Sequence, residues 1–432
     1  MAWDFETDDE FETALTWIRK FVAEEVEPLD HVLKHPHDVA NPNNQKLVKP
    51  LQQQVKEMGL WACHLDPELG GLGYGQLKLA LMNEILGRAR FAPIVFGCQA
   101  PDTGNGEILA HYGTEEQKAR YLQPLLDGDI VSSFSMTEPH AGSDPTMFKV
   151  HAELDGNHWV INGEKWFSSN ARFASFLIVL AITDPDAAIH SRMSSFIVPI
   201  ETPGVNIVRN VSVGIQEGSD GTHGYVSYEN VRVPADHMLG DLGQGFVVAQ
   251  TRLGGGRIHH AMRTMGQISK AFDMMCERAL SRQTKGEMLG DKQLVQAMIA
   301  DSWIEMEQFR LLVLRTAWRI DKYKDYMMVR KDISAVKAAM PKVFHAVASR
   351  SLQVHGSLGM SNEMPLAGQV LAALRMGIVD GPTEVHKVTV ARQVLREYTG
   401  TDGLFPTTHL PALKEKALAK FSHLLDLEAN DM

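Results

Sequence analysis

Phe134-Ser135-Met136-Thr137-Glu138-Pro139-His140-Ala141-Gly142-Ser143-Asp144 stands where the hydrophobic period of the chain changes. Upstream, from Phe11 to about Leu126, apolar residues recur at helical spacing. Phe11, Leu15, Ile18, Val22 and Val26 precede Pro28, and Leu47, Leu51, Val55 and Leu60 follow it. Thr114-Glu115-Glu116-Gln117 reads as a capping box opening a further helix. Downstream, from Val131 to about Pro234, β-branched and aromatic residues alternate and include the runs 176–180 and 195–199. Asp155-Gly156 and Asn162-Gly163 both read as hairpin turns. After Gly240 the helical period returns and holds to about Tyr398, in long segments from Phe246, Leu289, Ile333 and Leu366. The expected fold is mainly α with a central β domain. Its parts are an N-terminal helical domain over 1–129, a middle β domain over 130–240, a C-terminal helical bundle over 241–400 and a tail over 401–432. The amphipathic stretch from Leu413 to Leu427 reads as a terminal or partner-contacting helix.

At 432 residues and 44% hydrophobic, the chain has material for a large core. A net charge of -11 argues against nucleic acid or an anionic membrane as partner, because both require a basic surface. Cys63, Cys98 and Cys276 lie far apart with no CxxC, against a disulfide framework or a zinc site and in favour of a reducing compartment. The stretch Asp4 to Glu10 is acidic, unlike a targeting segment, and there is no run of 18 apolar residues. A cytoplasmic location is expected.

Several stretches carry chemical potential. The segment from Phe134 to Asp144 offers small hydroxyls and backbone N–H groups around Pro and Gly; it suits the edge of a planar ring system or a phosphate, and equally a tight loop. In Lys165-Trp166-Phe167-Ser168-Ser169, Phe167 and Ser169 share a strand face, so one covers a ring while the other bonds its edge; an ordinary core aromatic is the bland reading. In Arg252-Leu253-Gly254-Gly255-Gly256-Arg257-Ile258-His259-His260, the glycines read as opening a helix whose N–H groups favour an anion, with Arg257 adding charge. Adjacent histidines cannot share a helix face, and no carboxylate stands at ligand spacing, so a metal site is not expected. Arg282-Gln283-Thr284-Lys285-Gly286 ends a helix with a fork suited to a diphosphate, or with a merely solvated basic turn. In Gly377-Ile378-Val379-Asp380-Gly381-Pro382-Thr383-Glu384-Val385-His386, Asp380 falls between two helices, with Thr383 as N-cap and Glu384 in the first turn; by itself the stretch is only a turn.

Thr137-Glu138-Pro139 followed by Gly142-Ser143-Asp144 resembles the signature of the acyl-CoA dehydrogenase family, and the other stretches fall in register with that family from about Phe11 to Tyr398. The resemblance implies bound FAD and the α,β-dehydrogenation of an acyl-CoA thioester to a trans-2-enoyl-CoA. Asp380 occupies the base position that most members fill with Glu, with hydride leaving to flavin N5. Phe134, Met136, Thr137 and Ser143 are then placed along the flavin, with Phe167 and Ser169 against its ring and Pro382, Thr383 and Glu384 nearby. Ser143, Arg257 and Gly381 are implied for substrate, Arg257 at the CoA portion. Arg282 and the segment Gln353-Val354-His355-Gly356-Ser357-Leu358-Gly359, with Gln353, Gly356 and Ser357 as contacts, are implied to serve the flavin of a neighbouring subunit. A homodimer or homotetramer follows, with an electron-transferring flavoprotein as electron acceptor. The chain departs from the family at Ser357, which replaces a glycine, and at Lys285, which replaces an aromatic. Gly256 stands where one branch carries its base as Glu, which leaves that duty to Asp380. Around Asp380 the sequence is most similar to members found fused to kinase-like domains. Apolar surroundings are expected to raise the pKa of Asp380. Two rivals remain: a nitroalkane-oxidase-like enzyme using the same Asp with oxygen as acceptor, and a non-catalytic CoA-binding protein.

Overall fold

The computed structural model describes residues 7–69, 71–214 and 220–425. Asp4, Phe5 and Glu6 of the acidic N-terminal stretch, and Leu427 of the expected tail helix, lie outside them. Four longer helices lead: α1 (Asp9–Phe21), α2 (Pro42–Glu57), α3 (Gly75–Leu86) and α4 (Asp102–Tyr112). The Asp8 carboxylate accepts from the Phe11 N–H at 2.9 Å, and Phe11, Leu15, Ile18 and Phe21 form the buried stripe of α1. The capping box at Thr114 and Gln117 forms as the sequence predicts. Gln117 also donates to the carbonyls of Asp236 and Met238, which ties the helical region to the β region.

The strands β1 (Ser132–Ser135), β2 (His151–Asp155), β3 (His158–Ser169), β4 (Phe176–Ile182), β5 (Met193–Pro199), β6 (Val205–Val211), β7 (His223–Pro234) and β8 (Met238–Leu239) form one sheet. Its order is β6-β7-β3-β2-β4-β5-β8, with β1 pairing parallel to β4. β4 and β5 pair antiparallel and are almost wholly buried, in keeping with the unbroken apolar run of β4 and with Phe196 to Val198 of β5. Asp155-Gly156 marks a hairpin: Asp155 pairs with His158 across a two-residue turn, and Gly156 has φ +62°. Asn162-Gly163 does not. β3 runs on through it, and Gly163, at φ +128°, sits at a register shift opposite β7. A Cβ there would stand 2.8 Å from Val150 Cγ2, so the dipeptide is a bulge that only glycine fits.

Five longer helices follow among the described residues: α5 (Gly245–Ser281), α6 (Gln293–Tyr323), α7 (Tyr326–His355), α8 (Leu366–Met376) and α9 (Thr383–Leu395). Ile258, Met262 and Met265 of α5, Phe309 and Val313 of α6, and Val336, Met340 and Phe344 of α7 share one buried cluster with α1, α2 and α3. The two helical regions therefore have a common core. α3 and α5 cross at backbone distance, since a Cβ on Gly266 would lie 2.4 Å from the Glu84 carbonyl. In the tail, α10 (Leu410–Phe421) carries no buried residue. Among the described residues no helix is long and apolar enough to cross a membrane.

Candidate functional site

The chain turns sharply between α8 and α9, and Asp380 occupies the turn in the left-handed region at φ +53°, followed by Gly381 at φ +103°. A left-handed conformation costs a non-glycine residue about 1 kcal/mol, so neighbours must hold it. Arg257 Nε donates to the Asp380 carbonyl at 3.0 Å, and His386 Nε2 lies 3.2 Å from the same oxygen. Lys337 Nζ donates to the Met376 carbonyl at 2.5 Å and reaches that of Gly381 at 3.4 Å. Thr383 is not the N-cap of α9. Pro382 holds that position, and the Thr383 hydroxyl instead donates back to the Gly377 carbonyl at 3.2 Å, closing the turn. Glu384 lies exposed in the first helical turn.

The Asp380 side chain is 18% exposed, and its Oδ2 lies 3.3 Å from His260 Nε2. It also lies 3.5 Å from where a Cβ on Gly256 would stand. Burial pushes the carboxyl pKa up, but the adjoining His260 ring and the positive charges of Arg252, Arg257 and Lys337 outweigh it and hold the group below the usual range. The expected elevation is therefore overturned, because the surroundings are water-poor yet densely cationic. Burial pushes His260 down to about 4, so at neutral pH the pair is a carboxylate beside a neutral imidazole. Lys337 is lowered to about 8 by burial.

The glycine triplet differs from the sequence expectation. Gly254, Gly255 and Gly256 lie well inside α5, not at its start, so their N–H groups are not free helix-end donors. They serve close approach instead. Cβ atoms there would stand 2.9 Å from Tyr326 Cδ2 at Gly254 and 2.7 Å from Glu107 Oε2 at Gly255. Glu107 bonds Tyr326, and burial lifts its carboxyl to about 7. Arg252, one turn before Gly256, donates to Asn105 Oδ1 at 3.0 Å and covers the Phe134 ring at 4.2 Å.

Phe134 is thus buried under Arg252, and Met136 packs between two core clusters while its carbonyl accepts from Lys165 at 2.8 Å. Thr137 is partly exposed, its carbonyl accepting from the Trp166 N–H at 2.8 Å, and Ser143 is exposed. Phe167 and Ser169 meet at His223, but not through regular alternation. β3 bulges between Trp166 and Ser168, and Phe167, at φ +53° and 51% exposed, stacks on Trp166 at 5.1 Å. The Phe167 ring is 6.3 Å from His223, whose Nδ1 lies 2.9 Å from Ser169 Oγ. Burial and then Arg375 lower His223 to about 4.

The remaining residues lie elsewhere. Arg282 is the exposed C-cap of α5, about 38 Å along that helix from Arg257. Gln353, Gly356 and Ser357 lie at the end of α7, about 24 Å along it from Lys337, and Gly356 has φ +66° with open space where its Cβ would be. Sequence reasoning missed Arg252, His260, Lys337, Glu107 and His223. The spacing from Gly256 to His260, one helical turn on one face, was the available signal for one of them.

Models of the N-terminal, middle and C-terminal domains of acyl-CoA dehydrogenases match residues 8–129, 133–231 and 243–395. The protein named probable acyl-CoA dehydrogenase FadE2 of Mycobacterium tuberculosis is 42% identical over 82% of this chain and 87% of its own. The chain belongs to the acyl-CoA dehydrogenase family. Among family members, acyl-CoA dehydrogenase family member 11 of Mus musculus is 38% identical over 89% of this chain and 50% of its own length. The chain spans about half the length of the curated mouse and rat relatives it matches. The fold is shared with the solved glutaryl-coenzyme A dehydrogenase in complex with glutaryl-CoA, at TM-score 0.79 and 27% identity over 91% of this chain and 97% of that one.

Proposed function

We propose that this chain is an FAD-dependent acyl-CoA dehydrogenase in which Asp380 removes the α-proton of the thioester and the product is a trans-2-enoyl-CoA. The observation that supports it most is the ionised carboxylate of Asp380, held by a strained turn and facing a side of α5 that Gly256 leaves open. A carboxylate with an open approach is what α-proton abstraction requires.

The residues present fit the cofactor. Phe167 offers a half-exposed aromatic face on a bulge, with the hydroxyl of Ser169 beside it and the indole N–H of Trp166 buried without a partner. Thr137 and Ser143 would bond the ring system, while Phe134 and Met136 line its base from the core side, and Pro382 to Glu384 follow the base in the chain. Bound FAD supplies the acceptor for the β-hydride. Arg257 holds the Asp380 carbonyl, so its part toward substrate falls to its remaining N–H groups, with Ser143 and Gly381 as further substrate contacts.

Arg282 and Gln353 to Ser357 lie too far along their helices to join Asp380 of the same chain, which favours their serving the flavin of a second copy in a homodimer or homotetramer. An electron-transferring flavoprotein is the proposed acceptor, and the cytoplasm the proposed location.

The test is anaerobic addition of a panel of acyl-CoA thioesters to the yellow protein. Bleaching by at least one thioester is expected, and Asp380→Asn should keep the flavin but lose bleaching by about 1,000-fold or more. No bleaching, together with peroxide release from nitroethane, would overturn the dehydrogenase reading in favour of an oxidase. A colourless protein that takes up no FAD would overturn both.

A further inference from the structure

Asp380 is anchored in two separable ways. Its backbone is held by Arg257 and His386 at the carbonyl, with Lys337 bracing the neighbouring carbonyls of Met376 and Gly381. Its carboxylate has a different partner. Among the described residues, His260 is the side chain recorded within ion-pair distance of it, at 3.3 Å from Oδ2. Gly256 and His260 are one turn apart on α5 and so present one face to the turn, the first offering space and the second a ring nitrogen. The adjacent His259 points elsewhere, its Nε2 3.1 Å from Gln76 Oε1.

We infer that His260 is a positioning residue of the base: its Nε2–H donates to Asp380 Oδ2, fixes the carboxylate plane and leaves Oδ1 as the oxygen that takes the α-proton. Resting on the reading of Asp380 as base, this assigns a role within that site. No bond to His260 forms or breaks. The proton leaves the α-carbon for Oδ1, while bound FAD would supply the acceptor for the β-hydride. A carboxylate oxygen that accepts a hydrogen bond is less basic than its free partner, so the donor selects which oxygen reacts and keeps the carboxylate ionised.

Removing the donor has a readable sign. The charged and titratable groups facing the pair are Arg252, Arg257 and Arg263 from α5, Lys337 from α7, Arg375 from α8 and His386 from α9. All of them remain when His260 is replaced, so the change isolates one donor. Loss of that donor leaves burial less opposed and raises the pKa of Asp380.

The experiment is stopped-flow flavin reduction against pH with the best acyl-CoA of the panel, on the FAD-loaded enzyme and three variants. His260→Leu is expected to retain FAD and bind the acyl-CoA within about threefold of wild type. Its limiting reduction rate should fall about 30-fold, and the acid limb of its pH profile should move to higher pH. His260→Gln, which restores a donor without a titrating ring, should recover most of the rate and return the acid limb toward wild type. An unchanged rate and acid limb in His260→Leu would overturn the inference. So would a His260→Gln variant no better than His260→Leu when both hold FAD and substrate. Asp380→Asn separates the two levels: if it still reduces at the wild-type rate, the base assignment fails, whatever His260 does.

Discussion

Asp380 sits in a strained turn with its carboxylate kept ionised by cations, and Glu107 is its opposite, a carboxyl that burial raises to about 7. The contrast is legible in stability. The folded-state pKa of Glu107 lies above its ordinary value, so the stability it contributes is full below about 4.5 and is lost as pH rises through about 7. Thermal midpoints of Glu107→Gln and wild type should therefore be similar at pH 5, with the variant higher at pH 8. A midpoint difference that does not grow between the two pH values would show that Glu107 titrates normally. The resemblance to the family singled out Asp380, but nothing in the sequence singled out His260 or Arg252, because their relation to it is made across helices. The expectation of a raised pKa failed for the same reason: apolar composition is local, while the cations come from α5 and α7.

At the scale of elements, α5 does different work along its length. Near Asp380 the open position at Gly256 allows an ordinary contact at 3.5 Å, whereas Gly266 lies against the backbone of α3 at 2.4 Å. Gly256→Ala should accordingly be neutral or stabilise by up to about 1 kcal/mol through helix propensity. Gly266→Ala in the same helix should destabilise by about 2 kcal/mol by forcing α3 and α5 apart. Chemical denaturation of the two variants checks the pair, and equal effects would show that the crossing yields easily. A run of three glycines suggested a helix start; close approach of Tyr326 to Gly254 and of Glu107 to Gly255 decided otherwise. Asn162-Gly163 misled similarly, since a bulge and a hairpin turn both call for glycine at positive φ.

For the whole molecule, the separation of the flavin-directed residues along α5 and α7 makes a specific demand on assembly. If Asp380 of one copy works with Arg282 and Gln353 of another, two defective chains can complement. Asp380→Asn and Arg282→Ala homo-oligomers should each reduce poorly, whereas unfolded and co-refolded mixtures should regain activity, because some sites in the hybrid combine an intact Asp380 with an intact Arg282. No recovery in hybrids that chromatography shows to have formed would mean that each chain builds its site alone. The tail helix α10 follows the amphipathic period of its own stretch, whereas the common core of the two helical regions belongs to the scale of the whole molecule and is specified by no local pattern.

The sequence by itself determined the order helical, β, helical, the capping box at Thr114, the strands around Ile178 and Ile197, and the family, because hydrophobic period and short motifs are local properties of the chain. Only the tertiary structure decided that Asp380 is ionised, that His260 meets it, that the glycines of α5 are interior, and that Phe167 reaches His223 from a bulge. Each of these depends on charges or backbones brought together from distant parts of the chain, where packing and electric field override local preference.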